Sequence, residues 1–131
     1  MIRIGIYGAS GYTGIELIKI LRRHREARIV FGTSESSVGK TLSDVYPTTD
    51  DLPLVNADTA PIGEIDVAFL CLPHTAAMTQ AAKLIAAGVR VVDLSADFRL
   101  KSADEYKAWY SHDHTATDLL GEAVYGLVEV H

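Results

Sequence analysis

The apolar positions of this chain fall into two rhythms, short near-continuous runs and stripes spaced three and four residues apart. The first run, Ile2-Arg3-Ile4-Gly5-Ile6-Tyr7, reads as a strand and passes straight into Gly8-Ala9-Ser10-Gly11-Tyr12-Thr13-Gly14. Ile15, Leu17, Ile18, Ile20 and Leu21 then form a wide stripe at helical spacing, which predicts a helix within 11–24 lying against a sheet. Its charges follow the helix dipole: Glu16 is expected in the first turn, and Lys19, Arg22, Arg23 and His24 gather at the far end.

A second strand is expected over 28–33, followed by the loop Ser34-Glu35-Ser36-Ser37-Val38-Gly39-Lys40, whose serine content places it outside the core. Pro47, Pro53 and Pro61 interrupt 41–63, so short strands or irregular turns are expected there instead of a long helix. From 65 to 72 the chain is almost continuously apolar, the mark of a parallel strand covered on both faces, and Pro73 ends it. Thr75 is placed to cap a helix through Ala76, Ala77, Met78, Ala81, Ala82, Leu84 and Ile85, which Gly88 stops. Residues 89–94 read as another buried strand, and Ser102 with Glu105 has the capping-box form that opens a short helix to about Tyr110. Strands alternating with helices imply βαβ crossovers, hence an α/β chain with a doubly wound, mostly parallel sheet.

Composition narrows the class. At 131 residues, with 48% hydrophobic and 22% charged side chains, the chain is sized for one globular core. The formal charge of −5 argues against a nucleic-acid surface. No apolar stretch approaches the ~20 residues that span a bilayer, and the N-terminus lacks the layout of a signal peptide, so no membrane partner and a cytoplasmic location are expected. The lone Cys71 fits a reducing compartment.

The chemistry begins at the glycine turn. A helix N-terminus offers unpaired N–H groups and partial positive charge, and residues without Cβ let an anion approach the backbone. The spacing of Gly8, Gly11 and Gly14 is G-x-x-G-x-x-G, one residue longer at the front than the usual dinucleotide fingerprint. The strand before it and the helix after it supply the context that a phosphate cradle requires; the plain alternative is a tight turn that binds nothing.

Three stretches together resemble the N-acetyl-γ-glutamyl-phosphate reductase family: Gly8-Ala9-Ser10-Gly11-Tyr12-Thr13-Gly14, Asp93-Leu94-Ser95-Ala96-Asp97-Phe98-Arg99-Leu100 and Tyr125-Gly126-Leu127. Aspartate-semialdehyde dehydrogenase has a similar first motif and lacks the second. The resemblance implies a Rossmann-like NAD(P)-binding domain over 1–131, incomplete and truncated before a catalytic and oligomerisation domain. It also implies NADP-dependent reduction of an acyl phosphate to a semialdehyde in arginine biosynthesis, through a cysteine thioester with a histidine partner, and a homo-oligomer at full length. The family's nucleophile motif is absent from this sequence and is expected beyond His131, so no catalytic residue is assigned and the chain alone is expected to be inactive. A related reductase of lysine biosynthesis, acting on another acyl phosphate, and a non-catalytic binding module are the alternatives.

The cofactor contacts expected on this basis are Gly8, Ser10, Gly11, Tyr12, Thr13 and Gly14 at the phosphates, with Leu72, Pro73 and Ser95 at later strand ends, Ser95 reading equally as a turn-stabilising hydroxyl. Thr33, Ser34, Ser36 and Lys40, with Ser37, offer hydroxyls and a cation suited to the 2′-phosphate of NADP. Glu35 stands 21 positions beyond Gly14, close to where an acidic side chain accepts from the adenosine 2′-hydroxyl and favours NAD; some relatives place an arginine there, and the plain alternative is a solvated loop residue pointing away. NADP is the preferred reading and NAD the second.

His74 either borders the cofactor or bonds its own loop, and Asp97 with Arg99 reads as an ion pair. Cys71, flanked by Leu70 and Leu72, reads as a small core side chain and not a nucleophile. His112-Asp113-His114 lacks further ligands at fixed spacing, so no metal is expected. Trp109 with Tyr106 and Tyr110 reads as helix packing.

Overall fold

The computed structural model describes residues 1–73 and 76–95, together with Asp104 and Val124. The expectations for His74, Thr75, the stretch 96–103, the helix to Tyr110, the histidines at 112 and 114 and the motif at 125–127 lie outside the described residues.

The strands are β1 (Ile2–Tyr7), β2 (Ala27–Thr33), β3 (Leu54–Val55), β4 (Val67–Leu70) and β5 (Arg90–Asp93). Between them lie the helices α1 (Tyr12–Leu21), α2 (Leu42–Val45) and α3 (Ala76–Ala86). The sheet order is β3-β2-β1-β4-β5 with every pair parallel. The chain therefore winds outward from β1 in one direction and, after β3, crosses back to wind the other way. β1 and β4 flank the point where the winding reverses.

Each face of the sheet has its own core. Ile15, Ile18 and Leu21 of α1 pack with Ile4, Ile6 and Ile29, while Ala77, Ala81 and Leu84 of α3 pack with Tyr7, Phe31, Ala68 and Leu70. Ile29 and Phe31 lie in opposite cores although only one residue separates them. The register with β1 slips between Ile4 and Gly5, so that Ile4 faces Ile29 and Gly5 faces Phe31. Such a bulge turns the following side chain to the other face. Gly5 makes room for it, because a Cβ there would stand 2.7 Å from Phe31 Cζ. The ring meets Tyr7 edge to face at 5.9 Å between centroids.

Several expectations are corrected. α1 begins at Tyr12, so Glu16 falls in the second turn, where it pairs with Lys19 at 3.2 Å, and the first turn carries no carboxylate. The helix ends at Leu21 with Arg22 as its cap, leaving Arg23 and His24 beyond it. Ser34 is buried at 7% exposure despite the polar loop it opens, because the glycine turn packs over it. Cys71 lies just past β4 and is only half-buried. β5 is half-exposed, with Val92 at 43%, since it is the outermost strand on its side among the described residues. The proline-interrupted stretch holds the short elements expected, and Gly88 at φ +82° ends α3 with Val89 N–H donating to Leu84 O at 2.9 Å.

Candidate functional site

In a parallel sheet all carboxyl ends share one edge, and this brings the predicted residues together. Gly8 follows β1, Ser34 follows β2, Leu72 and Pro73 lie just past β4, and Ser95 lies just past β5. The main-chain ladder continues beyond the strands: Ala9 N–H donates to Thr33 O at 3.0 Å, Cys71 N–H to Tyr7 O at 2.8 Å and Leu94 N–H to Leu70 O at 3.0 Å.

The three glycines have different physical reasons. Gly8 sits at φ +82°, and a Cβ on it would lie 2.3 Å from Cys71 O. A Cβ on Gly14 would lie 2.3 Å from Gly8 O, so this glycine lets the helix start close against the strand it follows. At Gly11, the N-cap, the nearest atom to such a Cβ is Gly8 O at an ordinary 3.6 Å. The fold itself thus demands Gly8 and Gly14, while the bare backbone at Gly11 faces open space.

That space is lined with donors. The N–H groups of Ser10, Tyr12, Thr13 and Gly14 have no acceptor among the described residues, and Gly11 offers no side-chain cap. Ser10, Tyr12 and Thr13 are exposed, Tyr12 at 84%. These four N–H groups stand at the electropositive end of a ten-residue helix, the chemistry that an anion site requires.

Thr33 holds the turn from below. Its buried hydroxyl accepts from Gly8 N–H at 3.0 Å while its carbonyl accepts from Ala9 N–H, so this side chain is engaged in shaping the cradle. Ser10 Oγ and Ser34 Oγ lie 3.4 Å apart, and Ser34 Oγ also accepts from Ser37 N–H at 3.2 Å, which fixes the loop after β2. Beyond this support Glu35, Ser36 and Lys40 are exposed.

On the other side of the winding reversal, Leu72 is half-buried and Pro73 exposed. Ser95 donates to the Asp93 carboxylate from both its N–H, at 2.8 Å, and its hydroxyl, at 3.0 Å. Burial, with a smaller contribution from the Asp93 charge, pushes the Cys71 thiol up to about 11, the opposite of nucleophile activation. No metal-holding cluster of His, Cys, Asp or Glu occurs among the described residues, and none of their helices is long and apolar enough to cross a membrane.

Sequence reasoning missed Gly32, and it quoted Asp93 within a motif without its role as the acceptor that holds Ser95. A Cβ on Gly32 would stand 2.4 Å from Ala9 Cβ, so β2 lacks a side chain where the glycine turn rests on it. A glycine inside a strand pattern is the signal that could have found it.

A central strand running through a glycine turn into a helix, at the point where a parallel sheet reverses its winding, defines a dinucleotide-binding domain of the doubly wound α/β class. The chain belongs to the semialdehyde dehydrogenase NAD-binding domain family, whose model matches residues 3–131. Among curated proteins it is similar to N-acetyl-gamma-glutamyl-phosphate reductase of Pseudomonas fluorescens (strain Pf0-1), 46% identical over all of this chain and 39% of that protein. The enzymes of that name from Pseudomonas aeruginosa (strain UCBPP-PA14) and Azotobacter vinelandii are 47% and 45% identical with the same coverage. The chain thus spans 39% of the length of these curated relatives.

Among solved structures it resembles aspartate semialdehyde dehydrogenase with NADP from Candida albicans, with a TM-score of 0.68, 25% identity, and coverage of 76% of this chain and 31% of that one. Aspartate semialdehyde dehydrogenase II from Vibrio cholerae shares the fold at a TM-score of 0.64 and 20% identity, over 82% of this chain and 36% of that one.

Proposed function

We propose that this chain is the cofactor-binding part of an acyl-phosphate reductase that converts N-acetylglutamyl 5-phosphate to the 5-semialdehyde with release of phosphate. The observation that carries the reading is the set of N–H groups around Gly11 that have no acceptor among the described residues and face open space. The diphosphate of a dinucleotide fits this cradle in charge and in donor number. Similarity to reductases of that name over the whole chain supports the substrate assignment.

When bound, the dinucleotide supplies a hydride for reduction of the acyl group. Ser10, Tyr12, Thr13 and Gly14 hold its phosphates through their N–H groups, and Thr33 keeps the turn in shape through Gly8 and Ala9. Ser36 and Lys40, exposed in the loop that the buried Ser34 hydroxyl fixes, serve the adenosine end and favour the 2′-phosphate of NADP. Leu72, Pro73 and Ser95 border the far side of the cleft. Cys71, the one cysteine here, is poorly suited to the role because burial raises its thiol, and the chain spans 39% of its curated relatives, so the thiol nucleophile of this reading belongs to the remaining part. The reacting centre is therefore completed by the rest of a longer protein, which also forms the homo-oligomer; the location is the cytoplasm.

Calorimetric titration of the folded chain with NADP and with NAD tests this. We expect saturable binding of NADP, lost in Gly11→Val because the added side chain fills the cradle. Lack of binding of both at millimolar concentration, with a native circular dichroism spectrum, overturns the reading.

A further inference from the structure

Resting on that reading, we infer that Glu35 sets cofactor choice in this chain, and that its carboxylate keeps NAD in use by opposing the 2′-phosphate that the neighbouring hydroxyls and Lys40 favour. Glu35 is the second residue past the end of β2. Its position relative to the phosphate cradle is fixed by three connections: Gly8 N–H to Thr33 Oγ1, Ala9 N–H to Thr33 O, and the Ser10–Ser34 hydroxyl pair. Ser34 then turns the chain through its bond from Ser37 N–H, so residues 35 and 36 stand out from the same sheet edge as the cradle.

The carboxylate is uncommitted. Glu35 is exposed and makes no hydrogen bond or ion pair with any described residue, so the fold gives it no structural task. Lys40 is the one cation of the loop 34–40; it lies outside every ion pair among the described residues, its charge acts on the Asp44 carboxylate, and its backbone is pinned by Lys40 N–H to Ser37 O at 3.2 Å. An acceptor-only carboxylate pairs with ribose hydroxyls and repels a phosphate dianion, whereas serine hydroxyls and an ammonium do the reverse. Both kinds of group in the one loop past β2 give a narrow preference between the two cofactors.

The test is the ratio of the NAD and NADP dissociation constants, measured by calorimetry on the chain and on two variants, with 2′,5′-ADP against ADP as probes of the adenosine end alone. The native ratio should favour NADP by no more than about tenfold; Glu35→Gln should widen it by roughly 3- to 10-fold, and Glu35→Arg by ~10- to 100-fold. The 2′,5′-ADP to ADP ratio should move in parallel. Neither variant disturbs a packed or bonded group, so melting temperatures should match the native chain. A ratio that stays fixed in both variants while binding persists overturns this inference and leaves the proposed function standing; failure of the native chain to bind either cofactor overturns both.

Discussion

The hydroxyl of Thr33 accepts a hydrogen bond from the N–H of Gly8 at 3.0 Å, tying the first turn of the phosphate cradle to the end of the neighbouring strand. Thr33→Val keeps the shape and removes the acceptor, leaving the Gly8 N–H without its partner. We expect a loss of about 1–3 kcal/mol in urea unfolding and weaker dinucleotide binding, whereas Thr33→Ser should retain most of both. Native stability in the valine variant would mean that this bond is not what holds the turn.

The glycines should separate fold from function. Gly14→Ala places a methyl group 2.3 Å from Gly8 O and should destabilise the chain by more than ~2 kcal/mol, or unfold it. Gly11→Ala meets no close atom and should lower stability by no more than ~1 kcal/mol, the loss at a poor N-cap, while weakening NADP binding at least about tenfold. Thermal melts paired with titrations read both effects.

Arg3 and Asp66 form a clamp at the amino end of the sheet, with two side-chain bonds at 3.0 and 3.2 Å and a further bond from Arg3 N–H to the carboxylate at 2.9 Å. The Arg3 guanidinium, then its backbone N–H, lowers the Asp66 carboxyl to about 2. A depressed folded-state pKa contributes stability that is complete above the ordinary carboxylate value of ~4 and disappears as pH falls towards 2. Asp66→Asn should therefore make the acid limb of the stability curve shallower in that window. Asp44 and Asp50, also lowered, by Thr41 and Arg22 respectively, preserve part of the slope. Identical acid limbs in the two proteins would refute the assignment.

Tyr7 is fully buried, and its hydroxyl has no hydrogen-bond partner among the described residues. Tyr7→Phe removes that unpaired group without disturbing the edge-to-face contact with Phe31, and should raise stability by ~1 kcal/mol. A fall in melting temperature would show that the hydroxyl is satisfied in solution.

With its thiol held near 11, Cys71 should react with iodoacetamide at pH 7.5 ~100-fold more slowly than an ordinary thiol of pKa ~8.5, and only in proportion to its thiolate at higher pH. Modification in the folded chain at the rate of a free thiol would contradict the environment described for it.

Much of this was legible in the residues. The β1 pattern, the glycine turn, the α1 stripe and the α3 run ending at Gly88 were readable because periodicity and φ preference are local properties. The short elements of 41–63 were readable in kind only, since proline excludes a long helix without specifying what replaces it. The bulge opposite Gly5, the burial of Ser34 and the exposure of Val92 were not readable, because each depends on which strand lies alongside.

The sequence by itself determined that a strand, a turn with three glycines and a helix follow one another at the N-terminus, since these follow from side-chain size and spacing. Only the tertiary structure decided which glycines the fold requires: packing against Cys71 O and Gly8 O requires two of them, while the third stands in open space beside donors with no acceptor among the described residues. It also turned Thr33 from one of several hydroxyls near a cofactor into the support of the cradle. The physical reason is that parallel pairing joins residues distant in the chain at one sheet edge, and such contacts are written in no single segment.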